Sequence, residues 1–197
     1  MVKYPTVFID RDGTINRESG YINHISNFEI YPFAFHAVKL LNENGFLSVV
    51  ITNQAGIARG IFDEQFLEKV HNRMLMDFKS SGARIDAIYY CPHHNSSKNP
   101  LYAIECDCRK PKNGLIKRAL SELPVDKDNM FIVGDKYSDV QTGVTAGCRT
   151  IMVKTGYGKG EIESDFEKWS VKPDFIEENL LMAVLRILKI KRGTCVP

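Results

Sequence analysis

The sequence lacks any long apolar run. Stretches such as Gly45–Ile51 fall far short of the roughly 20 residues that a membrane-spanning helix needs, which argues against a membrane span. It also lacks an excess of one charge: 26 Lys and Arg stand against 24 Asp and Glu, a net +2. A nucleic-acid binder carries a stronger basic footprint, so no nucleic-acid partner is expected. A few well-placed cations still suffice for a small anionic ligand. No apolar h-region with a cleavage site opens the chain, and MVKYPTVFIDRDG runs straight into a strand-like segment. Internal repeats and low-complexity tracts are missing as well. Cysteine is scarce and odd in number, five in 197 residues. Three of the five, Cys91, Cys106 and Cys108, share one short segment. In a reducing compartment that points to metal binding rather than disulfides, whereas Cys148 and Cys195 are isolated and read as free thiols. A cytoplasmic monomer is therefore expected.

What is present suits one α/β domain. The length and the 44% hydrophobic content allow a full core. Short β-branched runs at Thr6–Asp10, Phe46–Thr52, Ile85–Tyr90, Met130–Gly134 and Thr150–Lys154 predict strands. Helical spacing lies between them. Phe33–Asn42 aligns Phe33, Ala37, Leu40 and Leu41. Asp63–Lys79 aligns Phe66, Leu67, Val70, Met74 and Phe78 behind Asp63 as N-cap, with Gly82 beyond the end. Gly114–Leu123, Asp139–Ala146 and Asn179–Ile190 complete the helices, the last with Leu181, Val184, Leu185 and Leu188 on its face. Strands alternating with helices predict a doubly wound, mostly parallel sheet over residues 1–190, with an insertion at 91–108 and a frayed tail at 191–197.

In such sheets ligands bind beyond the carboxyl ends of the strands. The polar strand tails are Asp10-Arg11-Asp12, Thr52-Asn53-Gln54, Cys91-Pro92-His93 and Gly134-Asp135. Carboxylates from Asp10, Asp12, Asp135 and Asp139 meeting at one edge would repel one another without a cation. Hard oxygen donors favour Mg²⁺, which keeps waters and contacts substrate phosphate. A carboxylate there can also attack phosphorus and form an aspartyl phosphate. Asp139 reads as an N-cap or as a residue behind the reacting groups.

The order DRDGT, ITN, RKP, GDKYSD resembles the haloacid dehalogenase (HAD) superfamily of phosphotransferases over about Thr6–Gly156. Within it, NQAGIARG, YYCPHH, CDCRKP and GDK are similar to the sugar-bisphosphate and histidinol-phosphate phosphatase subgroup. The resemblance implies Asp10 as nucleophile and Asp12 as the acid that protonates the leaving alkoxide and then activates water. It implies Thr52 and Lys110 as phosphoryl holders. Mg²⁺ would be bound by the side chains of Asp10 and Asp135 and by the carbonyl of Asp12. It further implies substrate contacts from Glu18, Ser19, Gly20, Tyr21, Thr52, Asn53, Gln54, Ala55, Arg109, Lys110 and Lys136. The general acid must be protonated when the leaving group departs, so a raised pKa is expected for Asp12.

Cys91-x-His93, twelve residues, then Cys106-x-Cys108 supplies a Cys₃His set. Four ligands leave no open position, which favours structural over catalytic zinc. His94 is the competing ligand. The segment ends beside Arg109-Lys110, so zinc would hold both basic side chains near the phosphate. Only about forty residues separate Asp12 from Thr52, and a helix occupies many of them. No separate cap domain is therefore expected, and the site should be open. A bisphosphate needs a second cationic anchor, for which Arg109 comes first and Arg59 second. The expected activity is a Mg²⁺-dependent phosphomonoesterase on a sugar bisphosphate, with histidinol phosphate as the alternative substrate. A polynucleotide 3′-phosphatase and a non-catalytic zinc-stabilised scaffold stand further off. Lys159–Pro173, with Trp169, carries no functional signal.

Overall fold

The computed structural model of the chain describes residues 2–191 and 193; Cys195 and most of the expected tail lie outside them. Six parallel strands form one sheet: β1 (Tyr4–Ile9), β2 (Leu47–Asn53), β3 (Ala87–Cys91), β4 (Val125–Gly134), β5 (Arg149–Val153) and β6 (Phe175–Glu177). Their order is β3-β2-β1-β4-β5-β6, the doubly wound arrangement. Seven α-helices accompany them among the described residues: α1 (Pro32–Glu43), α2 (Ala55–Ala58), α3 (Glu64–Ser80), α4 (Gly114–Glu122), α5 (Tyr137–Ala146), α6 (Gly158–Asp165) and α7 (Leu180–Lys191). No helix there is long and apolar enough to cross a membrane.

The strands read as continuous apolar runs because both faces are covered. Val7 and Ile9 of β1 point into a core shared with Ala34, Ala37 and Val38 of α1, Met74 and Phe78 of α3, and Val184 and Ile187 of α7. Phe8, between them, faces Leu115, Ile116 and Ala119 of α4 on the opposite side. The alternation follows from the two-residue period of a strand.

Local signals set the helix ends. Asp63 accepts from the Phe66 amide and starts α3 one residue before Glu64, as expected of an N-cap. Asn179 does the same for α7 through Met182. The buried face of α7 differs from the expected one: Leu180, Ala183, Val184, Ile187 and Leu188 are inside, while Leu185 is exposed. Leu180–Leu185 is apolar at every position, so periodicity there does not distinguish adjacent stripes. β4 also starts five residues earlier than expected, because its polar half, Asp126–Asn129, lies at the exposed foot of the sheet.

The order of strands reverses at β1, whose neighbours are β2 and β4. The crevice at that reversal opens beyond the carboxyl ends of β1 and β4, where Asp10 and Asp135 follow. Between β1 and β2 lie only a short 3₁₀ turn (Ile25–Asn27) and α1, and between β3 and α4 there is no regular element. The fold thus carries no cap domain among the described residues.

Candidate active site

Asp10 follows the last residue of β1 and is buried at 5% exposure. Its Oδ1 accepts from the Arg11 amide at 2.8 Å and lies 2.8 Å from Lys110 Nζ. The same ammonium is 2.6 Å from Asp139 Oδ1 and donates to the Ile51 carbonyl at 3.1 Å. Lys110 is itself locked at the backbone. Asn53, at the end of β2, donates to its carbonyl and accepts from its amide, both at 3.1 Å.

Asp135, at the end of β4, is fully buried beneath the cleft. Its Oδ2 accepts from the Tyr157 amide at 2.8 Å, while its Oδ1 has no hydrogen-bond partner among the described residues. Carboxylate oxygens of Asp10, Asp135 and Asp139 lie within 4.8 Å of one another. Crowding has the expected electrostatic result. Burial first, and then Asp139, push Asp10 up to about 6 against the pull of Lys110. Burial, Asp10 and Asp139 push Asp135 well above the usual carboxylate range. An orphaned buried oxygen beside two further carboxylates is the donor set a hard divalent cation fits.

Asp12 behaves differently from the expectation. Burial raises its pKa, but the Arg11 cation and hydrogen bonds from Asn16, Arg11 and Gln54 outweigh this and lower it overall. The Arg11 guanidinium grips it through Nε at 3.1 Å and Nη2 at 2.9 and 2.8 Å. Asn16 Nδ2 and Gln54 Nε2 donate to it at 3.0 and 2.9 Å. The expected rise is thus corrected: Asp12 is a carboxylate in the free protein. Gln54 also donates to Thr52 Oγ1 at 2.8 Å, tying the tails of β1 and β2 together.

Above these groups lies a cleft of about 490 Å³. Of the expected substrate contacts, Glu18, Gly20, Tyr21, Thr52, Asn53, Gln54, Ala55, Arg109, Lys110 and Lys136 line it. Ser19 does not. It turns its carbonyl to the Tyr21 amide, while Gly20 donates to Glu18, so the loop presents its other residues. Lys136 pairs with Glu18 at 3.3 Å and sits 4.5 Å from the Tyr157 ring centre. Arg109 donates to the His93 carbonyl at 3.2 Å. Arg59, the second candidate anchor, is not in the lining. It meets His94 Nε2 at 3.3 Å and the Tyr21 ring at 6.0 Å.

Three contributions escape sequence reasoning. Arg11 looks like a spacer between two aspartates, yet it is the largest fully buried side chain. Tyr157 and Glu161, at the start of α6, also line the cleft. Glu161 accepts from the Tyr137 amide at 2.6 Å, and Tyr137 stacks on Trp169 at 4.5 Å. This gives part of the unassigned 159–173 segment a structural role. Asp139, read from the sequence as an N-cap or as a residue behind the reacting groups, is the third residue of α5 rather than its N-cap, accepting from the Lys136 amide at 3.1 Å. That capping box aims its other oxygen at Lys110.

Beside the cleft, Cys91, His93, Cys106 and Cys108 converge. Their Sγ and Nδ1 atoms come within 3.0–3.7 Å in the pairs that touch. Ligand atoms around tetrahedral zinc stand roughly 3.5–3.8 Å apart, from bond lengths of about 2.1 and 2.3 Å; two of these contacts match that spacing and two are tighter, and the Cys₃His donor set suits that ion. The hydrogen bond with Cys91, ahead of the opposing effect of burial, holds the Cys108 thiol down to about 5, toward the thiolate form that binds metal. His94 is turned away, its Nδ1 bonded to Ser96.

Comparison with known proteins decides the family. Over 151 residues the chain is 42% identical to the D-glycero-β-D-manno-heptose-1,7-bisphosphate 7-phosphatase of Pasteurella multocida, covering 76% of this chain and 82% of that one. The chain belongs to the HAD-like phosphatase family. The enzyme of the same name from Escherichia coli K12 is 41% identical over 153 residues, 77% and 80% of the two chains. Residues 107–183 match the family model described as "HAD-hyrolase-like". A crystal structure of the D,D-heptose 1,7-bisphosphate phosphatase of B. bronchiseptica, complexed with magnesium and phosphate, superposes with a TM-score of 0.82 at 28% identity, covering 96% of this chain and 99% of that one. The protein is thus a phosphoric monoester hydrolase of HAD type.

Proposed function

We propose that this phosphatase removes the 7-phosphate of D-glycero-β-D-manno-heptose 1,7-bisphosphate through an aspartyl phosphate on Asp10. The observation that carries the reading is the buried Asp10–Lys110–Asp139 ion cluster opening into a cleft lined by Arg109, Lys110 and Lys136, in a chain about 40% identical to enzymes of that name.

Asp10 Oδ1 accepts from the Arg11 amide and lies beside Lys110; one oxygen of this carboxylate is the attacking atom. It bonds to phosphorus as the bond to the substrate's C7 oxygen breaks. Asp12, ionised in the free enzyme, takes up a proton from solvent when the arriving phosphate adds negative charge beside it. It passes that proton to the leaving oxygen. In the second half, water attacks phosphorus, Asp12 takes the water's proton, and the bond to Asp10 breaks to release phosphate. Lys110 and Thr52 hold the equatorial oxygens, where charge must be offset throughout. Asp10 and Asp135, with the Asp12 carbonyl, would hold Mg²⁺, which supplies further positive charge to the phosphoryl group. Cys91, His93, Cys106 and Cys108 would hold a structural zinc.

Arg109 is the anchor for the second phosphate. Glu18, Gly20, Tyr21 and Lys136 contact the sugar side of the substrate. The enzyme acts as a monomer in the reducing cytoplasm, where cysteines persist without forming disulfides.

Phosphate release with Mg²⁺ from the heptose bisphosphate and from histidinol phosphate, measured side by side, tests the reading. A large preference for the bisphosphate in kcat/KM is expected, with the 1-phosphate retained by ³¹P NMR and Asp10→Asn inactive. A preference for histidinol phosphate would overturn the substrate.

A further inference from the structure

His71 lies on the buried face of α3, between Val70 and Met74, and is 8% exposed. Its spacing makes it look like one more core position. Its Nε2, however, stands 3.3 Å from Arg11 Nη1, sixty positions earlier in the chain. A guanidinium only donates, so Nε2 must accept and the ring proton must sit on Nδ1. The Tyr90 ring packs edge-on against His71 at 5.9 Å and fences the imidazole in place.

Arg11 itself is 2% exposed. Its Nε and Nη2 are committed to Asp12 through three bonds of 2.8–3.1 Å, which leaves Nη1 for His71. A planar fork held at both ends cannot rotate without breaking a buried bond. Asp12, gripped by that fork, is fixed with it. We infer that His71 is a positioning residue for the reaction: its Nε2 lone pair sets the plane of the Arg11 guanidinium, which in turn sets the Asp12 carboxylate for proton transfer. This rests on the assignment of Asp12 as the acid–base group.

The electrostatics agree with the geometry. Burial first and then the Arg11 cation, against a smaller pull from Asp12, hold the His71 ring down to about 3. It therefore stays neutral and keeps its accepting lone pair throughout the working pH range. A lysine or arginine at this position could not accept, and an aliphatic side chain would leave Nη1 without a buried partner.

The test uses leaving-group dependence, which loss of packing alone does not move. The heptose alkoxide needs a proton to leave, whereas p-nitrophenolate does not. In His71→Met, kcat/KM should fall about tenfold or more for the heptose bisphosphate and stay within about twofold for p-nitrophenyl phosphate. His71→Gln, whose amide oxygen can accept from Nη1, should recover most of the loss. Asp12→Asn is run beside them. If it spares the bisphosphate reaction, the acid–base reading of Asp12 fails and takes this inference with it. If Asp12→Asn shows the selective loss and His71→Met does not, this inference alone is overturned. Should His71→Met not fold, the ¹⁵N spectrum of the wild-type imidazole decides. A neutral ring protonated at Nδ1 is expected, and a ring carrying its proton on Nε2 overturns the proposal.

Discussion

Lys110 Nζ lies 2.8 Å from Asp10 Oδ1, and both side chains are buried. That pairing, with Asp139 on the other side of the same ammonium, keeps a nucleophilic carboxylate ionisable where burial alone would neutralise it. Lys110→Met keeps the volume and removes the charge. Losing one partner of a buried pair costs about 3–5 kcal/mol, and losing a phosphoryl-stabilising cation costs roughly 10²–10³ in kcat. Urea titration of the variant with and without Mg²⁺ checks the first number. The ion should restore part of the loss, since it compensates the same carboxylates.

The acidic cluster also predicts a pH dependence for the metal-free protein. Asp10 is raised from an ordinary carboxylate value near 3.8 to about 6, and Asp135 is raised well above the same starting point. The folded state therefore holds more protons than the unfolded state above about pH 4. From these two groups, stability of the chelated protein falls as pH rises from about 4 through 6, partly offset by His71, whose lowered pKa works in the opposite direction. Mg²⁺ binds the ionised cluster and reverses the loss. The gain in Tm on adding Mg²⁺ should be small near pH 5 and large near pH 8. An equal gain at both would contradict the assignment.

Much of this site was legible in the sequence because strand tails in a doubly wound sheet must meet at one edge. Asp10, Thr52, Cys91 and Asp135 each end an apolar run, and the structure places them together for that reason. The four-residue Cys/His set was legible because soft donors in two close pairs have few other uses. Arg11 and His71 were not legible. A pattern that counts an arginine as surface and a helical histidine as core cannot see that the two meet. The state of Asp12 was not legible either: its catalytic role suggested a raised pKa, whereas the Arg11 cation and the hydrogen bonds from Asn16, Arg11 and Gln54 together outweigh the upward push of burial. β6 was missed because three half-buried residues, Phe175–Glu177, carry too little pattern.

The Cys/His cluster touches the two basic residues unequally. Arg109 donates to the carbonyl of His93, inside the cluster, while Lys110 is clamped by Asn53 on β2. Zinc was expected to hold both, but β2 already holds Lys110. Cys106→Ser should remove the bound zinc, checked by mass spectrometry of the native protein. KM for the bisphosphate should rise about tenfold through loss of Arg109 positioning, with kcat lowered only a few-fold. A fall in kcat at constant KM would place the zinc's influence on Lys110 instead.

Gly13 follows Asp12 at φ +82°, and a Cβ there would overlap the Asp135 carboxylate, as would a Cβ on the neighbouring Gly156. Gly13→Ala should therefore cost more than the about 1–2 kcal/mol of left-handed backbone strain. Gly45 supplies the control: its φ is +75°, and a Cβ there meets nothing within 4 Å. Gly45→Ala should show the backbone cost alone and bind Mg²⁺ as the wild type does. In Gly13→Ala the displaced Asp135 should weaken Mg²⁺ binding at least about tenfold, as loss of a ligand's supporting contacts does, read by calorimetric titration. Equal stability losses and equal Mg²⁺ affinity in the two variants would mean that Asp135 is free to move, and that the glycine is required only for its turn.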